Sequence, residues 1–177
     1  WQNVRIFPNF TVLENVMAGR FCRTRTGIFG SIINSFQSRH EEKETRKISE
    51  EILHFMGLYE FKEHLARNLS YGNQKRLEIA RSLSTEPDML LLDEPAAGLN
   101  NSETLGLVDT IYKIREKGIT ILLIEHDMKM VMSVSDWIVV LDHGKKIAEG
   151  TPELIKNDEK VIVSYLGEGA DEDYGNA

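Results

Sequence analysis

Two short, unbroken apolar runs constrain this chain more than any other feature. Met89-Leu90-Leu91-Leu92 lies between Pro87 and Asp93-Glu94-Pro95, and Ile119 to Ile124 follows directly after Gly118. Runs of this length, bounded by turn residues and rich in aliphatic side chains, read as strands buried on both faces. Between them, Asn100 and Glu103 have the spacing of a helix start, the helix runs through Glu116, and Gly118 ends it. A strand, a helix and a second strand of this kind form a βαβ unit, and such units build parallel sheets. The fold class is therefore α/β.

The rest of the chain divides around this unit. Thr11 and Glu14 form a T-x-x-E capping box that opens a short helix through about Ala18. Residues 22–40 mix Arg, Gly, Ser and Phe without a clear period and read as a loop or irregular insertion. Glu41 to Met56 reads as a helix with Ile48, Ile52, Leu53 and Phe55 near one face, closed by Gly57. A second helix is expected over about Glu60–Ala66. Ser70 caps a helix to about Leu83. Beyond the second strand, Asp127 to Met132 reads as helix. Trp137–Leu141 and Lys146–Ala148 read as a hairpin around Asp142-His143-Gly144-Lys145, and Thr151-Pro152-Glu153 starts a last helix. No internal repeat or low-complexity tract interrupts this order.

Composition excludes several classes. With 177 residues, 41% apolar and 28% charged, the chain has the make-up of a globular domain rather than of a disordered or fibrous one. Its net charge of −7 argues against general nucleic-acid binding. No apolar run reaches the roughly 18 residues of a membrane span, and no basic-then-apolar leader opens the chain. Cys22 is alone, which excludes an internal disulfide and points to a reducing, intracellular setting. The five histidines show no helical metal-pair spacing. Residues 1–40 carry Arg5, Arg20, Arg23, Arg25 and Arg39 against Glu14 alone, and the acidic tail 167–177 reads as solvated and disordered. The first residue is Trp1 rather than Met, so a longer parent chain is expected.

Three clusters carry candidate chemistry. Asp93 and Glu94 stand at the carboxyl end of the first strand, the edge at which open α/β sheets bind ligands. There, Asp93 can hold Mg²⁺, usually through water, and Glu94 can orient or deprotonate an attacking water. A turn before Pro95 needs the same residues, and taken alone the two readings balance. Glu125-His126-Asp127 follows the second strand, which places His126 on the same edge as Glu94. Ser70-Tyr71-Gly72-Asn73 precedes a helix whose free amides and positive dipole can receive an anion, although the spacing alone equally describes a plain capped helix.

Together these segments resemble the ATP-binding cassette (ABC) ATPases. Leu69-Ser70-Tyr71-Gly72-Asn73-Gln74-Lys75-Arg76 is similar to their signature motif, Met89–Pro95 to their Walker B strand and catalytic glutamate, and Ala96-Ala97-Gly98-Leu99-Asn100 to their D-loop. His126 matches the switch histidine, and Gln2 the Q-loop glutamine ahead of Phe7-Pro8-Asn9-Phe10. The order matches from Gln2 to Leu166. The resemblance implies a P-loop NTPase core of the ABC type with an inserted helical subdomain: residues 1–10 entering that subdomain, 11–83 forming it, and 84–166 forming the α/β core. It implies ATP and Mg²⁺ as ligands, with Asp93 and Gln2 on the metal side. Glu94 and His126 would be catalytic, and Ser70, Gly72 and Asn73 would reach a nucleotide held by an opposing subunit.

Within the superfamily, Asp93-Glu94-Pro95-Ala96-Ala97-Gly98-Leu99-Asn100, Leu122-Leu123-Ile124-Glu125-His126-Asp127-Met128-Lys129 and the ending Ser164-Tyr165-Leu166-Gly167-Glu168 are similar to branched-chain amino acid importer ATPases. That implies a second ATPase subunit in a homo- or heterodimer, transmembrane permease subunits and, indirectly, a periplasmic binding protein. The location implied is peripheral, on the cytoplasmic face of the inner membrane, with residues 1–39 as the candidate permease-facing surface. Urea or short-amide importers, the lipopolysaccharide exporter and a non-enzymatic pseudo-ATPase are the alternatives.

The chain departs from the family pattern in three places. Tyr71 and Asn73 replace the usual residues of the signature, Asn100 ends the D-loop in place of Asp, and no G-x-x-x-x-G-K-[ST] phosphate loop occurs. The single Gly144-Lys145 pair is followed by Lys146, and Val139 stands where the first glycine belongs. The 177 residues alone are therefore expected not to hydrolyse ATP.

Overall fold

The computed structural model describes residues 6–20 and 35–166. Gln2, Arg5, Cys22, Arg23, Arg25 and the tail from residue 167 lie outside the described residues. Two compact units divide at Ile124 and Glu125.

In the first unit, Thr11 caps helix α1 (Val12–Arg20) as a reciprocal box. The Glu14 amide donates to Thr11 Oγ1 at 3.1 Å, and the Thr11 amide donates to Glu14 Oε2 at 2.7 Å. Asn15 is fully buried beneath this turn. Its amide group donates to the carbonyls of Phe7 and Thr11, and its oxygen accepts from the Phe7 amide at 2.8 Å. Helix α2 (Ser35–Phe55) begins six residues before the Glu41 start expected from periodicity, so residues 35–40 are helix and not the expected loop, whose remaining residues lie outside the described ones. Its buried seam is Thr45, Ser49 and Leu53, spaced four apart; of the expected face Leu53 is buried, whereas Ile48, Ile52 and Phe55 are half-buried. Gly57 closes it at φ 67°. Gly57 and Leu58 donate to the carbonyls of His54 and Leu53, which is the paired bonding of a Schellman cap.

The helix expected over Glu60–Ala66 is absent. Two 3₁₀ turns, Tyr59–Phe61 and Ala66–Asn68, stand there instead. The reason is competition for backbone groups. Lys62 and His64 carbonyls accept from the Leu13 and Val12 amides, and the Ala66 and Arg67 amides donate to Phe10 and Pro8. A continuous helix would consume these groups internally.

Helix α3 (Tyr71–Leu83) follows its Ser70 cap, and its Leu77, Ile79, Ala80 and Leu83 are buried. Gly19 of α1 faces its end. A Cβ at Gly19 would lie 2.3 Å from the Arg81 carbonyl oxygen, so the two helices meet backbone to backbone. Strand β1 (Met89–Asp93), helix α4 (Asn101–Glu116) and strand β2 (Thr120–Ile124) form the expected parallel pair, registered from Met89 opposite Thr120 to Asp93 opposite Ile124. The expectation of burial on both faces fails. Leu90 and Leu92 are buried, whereas Met89, Leu91, Leu122 and Ile124 are exposed, Leu91 to 66%. Successive side chains alternate across the sheet, and among the described residues only one face is packed.

In the second unit, Asp127 caps helix α5 (Met128–Val134). Strands β3 (Ile138–Asp142) and β4 (Lys145–Gly150) form the expected antiparallel hairpin. His143 and Gly144 both have positive φ, 47° and 76°, the backbone of a two-residue turn that matches strand twist. Helices α6 (Pro152–Lys156) and α7 (Glu159–Val161) follow, and Ile155 and Val161 join Ile138 and Val140 in one apolar core.

Candidate nucleotide-facing site

The site begins where β1 stops. Asp93 is the last strand residue, directly opposite Ile124, and its side chain lies on the exposed face of the pair. Glu94 extends the ladder by one bond, its amide donating to the Ile124 carbonyl at 2.9 Å, and then leaves the strand at φ 45°. A left-handed backbone at a residue other than glycine is costly and is retained where the surrounding structure over-determines it. Two successive turns carry the chain onward. Ala97 donates to the Glu94 carbonyl at 3.1 Å and Leu99 to the Ala96 carbonyl at 3.0 Å, with Pro95 buried and Gly98 at φ 79°. The path ends on Asn100, which with Glu103 caps α4 reciprocally: Glu103 N–H to Asn100 Oδ1 and Asn100 N–H to Glu103 Oε2, each 3.0 Å.

Ser70 and the first turn of α3 meet this path. Ser70 Oγ accepts from the Asn73 amide at 3.3 Å. The amides of Tyr71 and Gly72 stand in the first helical turn, where no preceding carbonyl is available within the helix. Gly72 is buried, and a Cβ there would lie 2.6 Å from Glu103 Oε1. Four residues nominated from the sequence, Ser70, Gly72, Asp93 and Glu94, therefore stand on one helix start and one strand end within the first unit. Asn73 is the fifth, with its amide committed to the cap. Gln74 is less available than its place in the motif suggests, because its side-chain amide donates to the Leu69 carbonyl at 3.0 Å.

His126 belongs to the second unit. Its ring is 70% exposed, its own amide donates to Glu125 Oε2 at 3.2 Å, and that carboxylate is nearly fully buried 3.9 Å from Nδ1. Asp127 Oδ1 accepts from the Met130 amide at 3.1 Å, so the histidine is held between an anchored carboxylate and a helix cap. Glu125, which the sequence reading did not nominate, is the carboxylate beside His126, and its place directly before that histidine was the available signal. Gln2 lies outside the described residues.

Among the described residues, no group of three or more His, Cys, Asp or Glu side chains is placed to hold a metal. A lone Asp93 at a strand end suits Mg²⁺, which keeps several waters and takes one or two carboxylates together with substrate phosphates. An exposed helix start with a hydroxyl and free amides suits a phosphate. No helix among the described residues is long and apolar enough to cross a membrane.

The family model described as ABC transporter matches residues 1–97, more than half of the chain. The chain belongs to the ABC transporter family. A second model, described as branched-chain amino acid ATP-binding cassette transporter, matches residues 145–171 of this ABC transporter-family chain. The high-affinity branched-chain amino acid transport ATP-binding protein LivG of Escherichia coli K12 is 45% identical over 169 residues, covering 95% of this chain and 66% of LivG. The chain thus spans just under two thirds of that relative's length. The ADP conformation of MJ1267, an ATP-binding cassette of an ABC transporter, superposes with a TM-score of 0.73 at 32% identity, covering 91% of this chain and 64% of that one. A dimeric, post-hydrolysis ATP-binding cassette, MJ0796 bound to ADP and Pi, gives a TM-score of 0.67 at 27% identity over 86% of this chain and 61% of that one. The α/β fold is that of the ABC ATPase cassettes.

Proposed function

We propose that this chain is part of the ATP-binding and ATP-hydrolysing subunit of an importer for branched-chain amino acids. The observation that carries the proposal is the strand-end pair Asp93-Glu94, anchored to Ile124, in a chain 45% identical to a branched-chain amino acid transport ATP-binding protein. The family resemblance suggests a role for each residue. Asp93 supports Mg²⁺ through water, and Gln2 completes the metal side and reports to the permease. Mg²⁺, when bound, neutralises charge on the phosphate oxygens. Glu94 takes the proton of the attacking water. His126 contacts the γ-phosphate and stabilises charge as the bond to the leaving oxygen breaks. Ser70, Gly72 and Asn73, with the dipole of α3 behind them, face a nucleotide held by a second subunit.

Two such subunits close around ATP and separate after hydrolysis, switching the permease subunits to which they are bound, while a periplasmic binding protein delivers the amino acid. No nucleic acid takes part. The subunit sits peripherally on the cytoplasmic face of the inner membrane. Residues 11–83 form the helical subdomain and 84–166 the α/β core. Because no phosphate loop occurs in these 177 residues, the β- and γ-phosphates lack most of their ligands, and the chain by itself is inactive. The test is phosphate release by the purified 177-residue chain and by the full chain assembled with its permease. The expected result is no release from the former. Release from the latter should be coupled to leucine uptake and lost in Glu94→Gln. Robust activity of the 177 residues alone that Glu94→Gln abolishes overturns the inactivity claim, and uptake unaffected by Glu94→Gln overturns the function.

A further inference from the structure

The seam between α3 and the segment leaving β1 is built on glycines, each filled from the other side by a named side chain. A Cβ at Gly72 would meet the Glu103 carboxylate, and one at Gly106 would lie 2.5 Å from the Arg76 guanidinium. The third contact is the informative one. A Cβ at Gly98 would lie 3.0 Å from Cε1 of Tyr71 and 3.6 Å from its hydroxyl. Gly98 therefore lets the flat edge of the Tyr71 ring rest directly on the backbone of the turn Ala96–Leu99. The same ring carries the ammonium of Lys75, one helical turn along, 5.8 Å from the ring centroid. Lys75 is buried to 8% exposure, and among the described residues no carboxylate pairs with it. A cation shielded from water gains more from an aromatic face than an exposed one does. Tyr71 thus touches both a buried cation and a glycine backbone, although the residue is 40% exposed.

A tyrosine at the first position of a helix needs none of this for helix formation, since Ser70 already supplies the cap. We infer that Tyr71 is a positioning residue: its ring pins the turn that carries Glu94 to the first turn of α3, so that the strand-end carboxylate and the phosphate-facing helix start move together. The catalytic consequence rests on the function proposed above. The mechanical one does not. A phosphate drawing on the Ser70–Gly72 turn would move the segment Glu94–Leu99 through Tyr71. The nearest contact is made by the ring carbon Cε1, so phenylalanine should keep it.

Hydrogen exchange on the full chain without nucleotide tests the pin directly. The Ala97 and Leu99 amides, bonded within the turns, are the reporters. In Tyr71→Ala they should exchange about tenfold faster, with Leu77 and Ile79 of α3 unchanged, and Tyr71→Phe should restore wild-type protection. Where Tyr71→Ala accelerates every amide, Tyr71→Leu replaces it. Leucine keeps bulk without a flat edge or a cation-binding face, and it should loosen the same two amides selectively. Wild-type protection at Ala97 and Leu99 in the alanine or leucine variant overturns the proposal. In ATPase assays of the full chain, Tyr71→Ala should lower kcat roughly 10- to 100-fold with KM for ATP little changed, again rescued by phenylalanine. A rise in KM at unchanged kcat overturns the positioning role. A full chain that neither binds nor hydrolyses ATP defeats the proposed function but leaves the exchange result standing.

Discussion

The amide of Glu94 donates to the carbonyl of Ile124 across 2.9 Å, one step beyond the last paired residues of β1 and β2. The carboxylate is therefore attached to a residue whose backbone is fixed by the sheet but whose φ of 45° has left it. Glu94→Gln preserves this backbone and the side-chain shape while removing the proton acceptor. We expect hydrolysis by the full chain to fall by roughly 10²–10⁴-fold, the range for loss of a general base, with ATP binding retained and the closed dimer accumulating. Single-turnover phosphate release and equilibrium nucleotide binding check this, and faster turnover than wild type would reassign the base.

Gly19→Ala should be far more damaging than its conservative chemistry suggests. The added methyl would stand 2.2 Å from Ser84 Oγ and 2.3 Å from the Arg81 carbonyl oxygen, and a backbone oxygen cannot rotate away. Separating α1 from α3 should cost about 1–3 kcal/mol, read as a lower urea midpoint. An unchanged midpoint would show that the helices do not meet as closely as described.

The α1 cap should weaken in acid. The Thr11 amide, and next the Thr11 hydroxyl, hold the Glu14 carboxyl below its ordinary value of 4.5. A depressed folded-state pKa adds stability that is fully present above the unfolded value and lost as pH falls through the folded one. Denaturation midpoints of wild type should therefore fall below about pH 4 more steeply than those of Glu14→Gln, while the two run parallel near neutrality. Parallel curves throughout would remove Glu14 from the cap.

Glu103 serves two neighbours, capping α4 through the Asn100 amide and filling the space beside Gly72. Gly72→Ala should push that carboxylate off the cap, so its stability cost should overlap the ~1 kcal/mol expected of Glu103→Ala. A double-mutant cycle by thermal denaturation should then show the combined loss to be smaller than the sum. Strict additivity would separate the two roles.

The parts of the fold that were legible in the sequence are those specified locally. Ser70 and Asn100-x-x-Glu103 announce their helices because a cap is a contact across three residues, and His143-Gly144 announces its hairpin because two positive φ values suit few other pairs. The failures are all non-local. Residues 59–68 give up a helix because their backbone bonds reach back to residues 8–13. Thr45 and Ser49 are buried by what packs on α2, which periodicity of apolar residues cannot reveal. Asp93 and Glu94 could be found as acids at a strand end. The apposition of Tyr71 and Gly98 joins residues 27 positions apart, and nothing in either short motif encodes it.

Asn15 has a consequence for how variant data on this chain are to be read. Both of its N–H groups and its oxygen are committed to backbone partners at zero exposure. A substitution that removes the side-chain oxygen would leave the part-buried Phe7 amide without its acceptor, at roughly 1–3 kcal/mol, while the Phe7 and Thr11 carbonyls would keep the backbone amides of Phe10 and Asn15. A saturation screen scored by growth would rank Asn15 beside Glu94. The first would be intolerant because it bonds the backbone of Phe7, the second because of the proton transfer proposed for it, and only a stability assay run in parallel would tell the two kinds of indispensability apart.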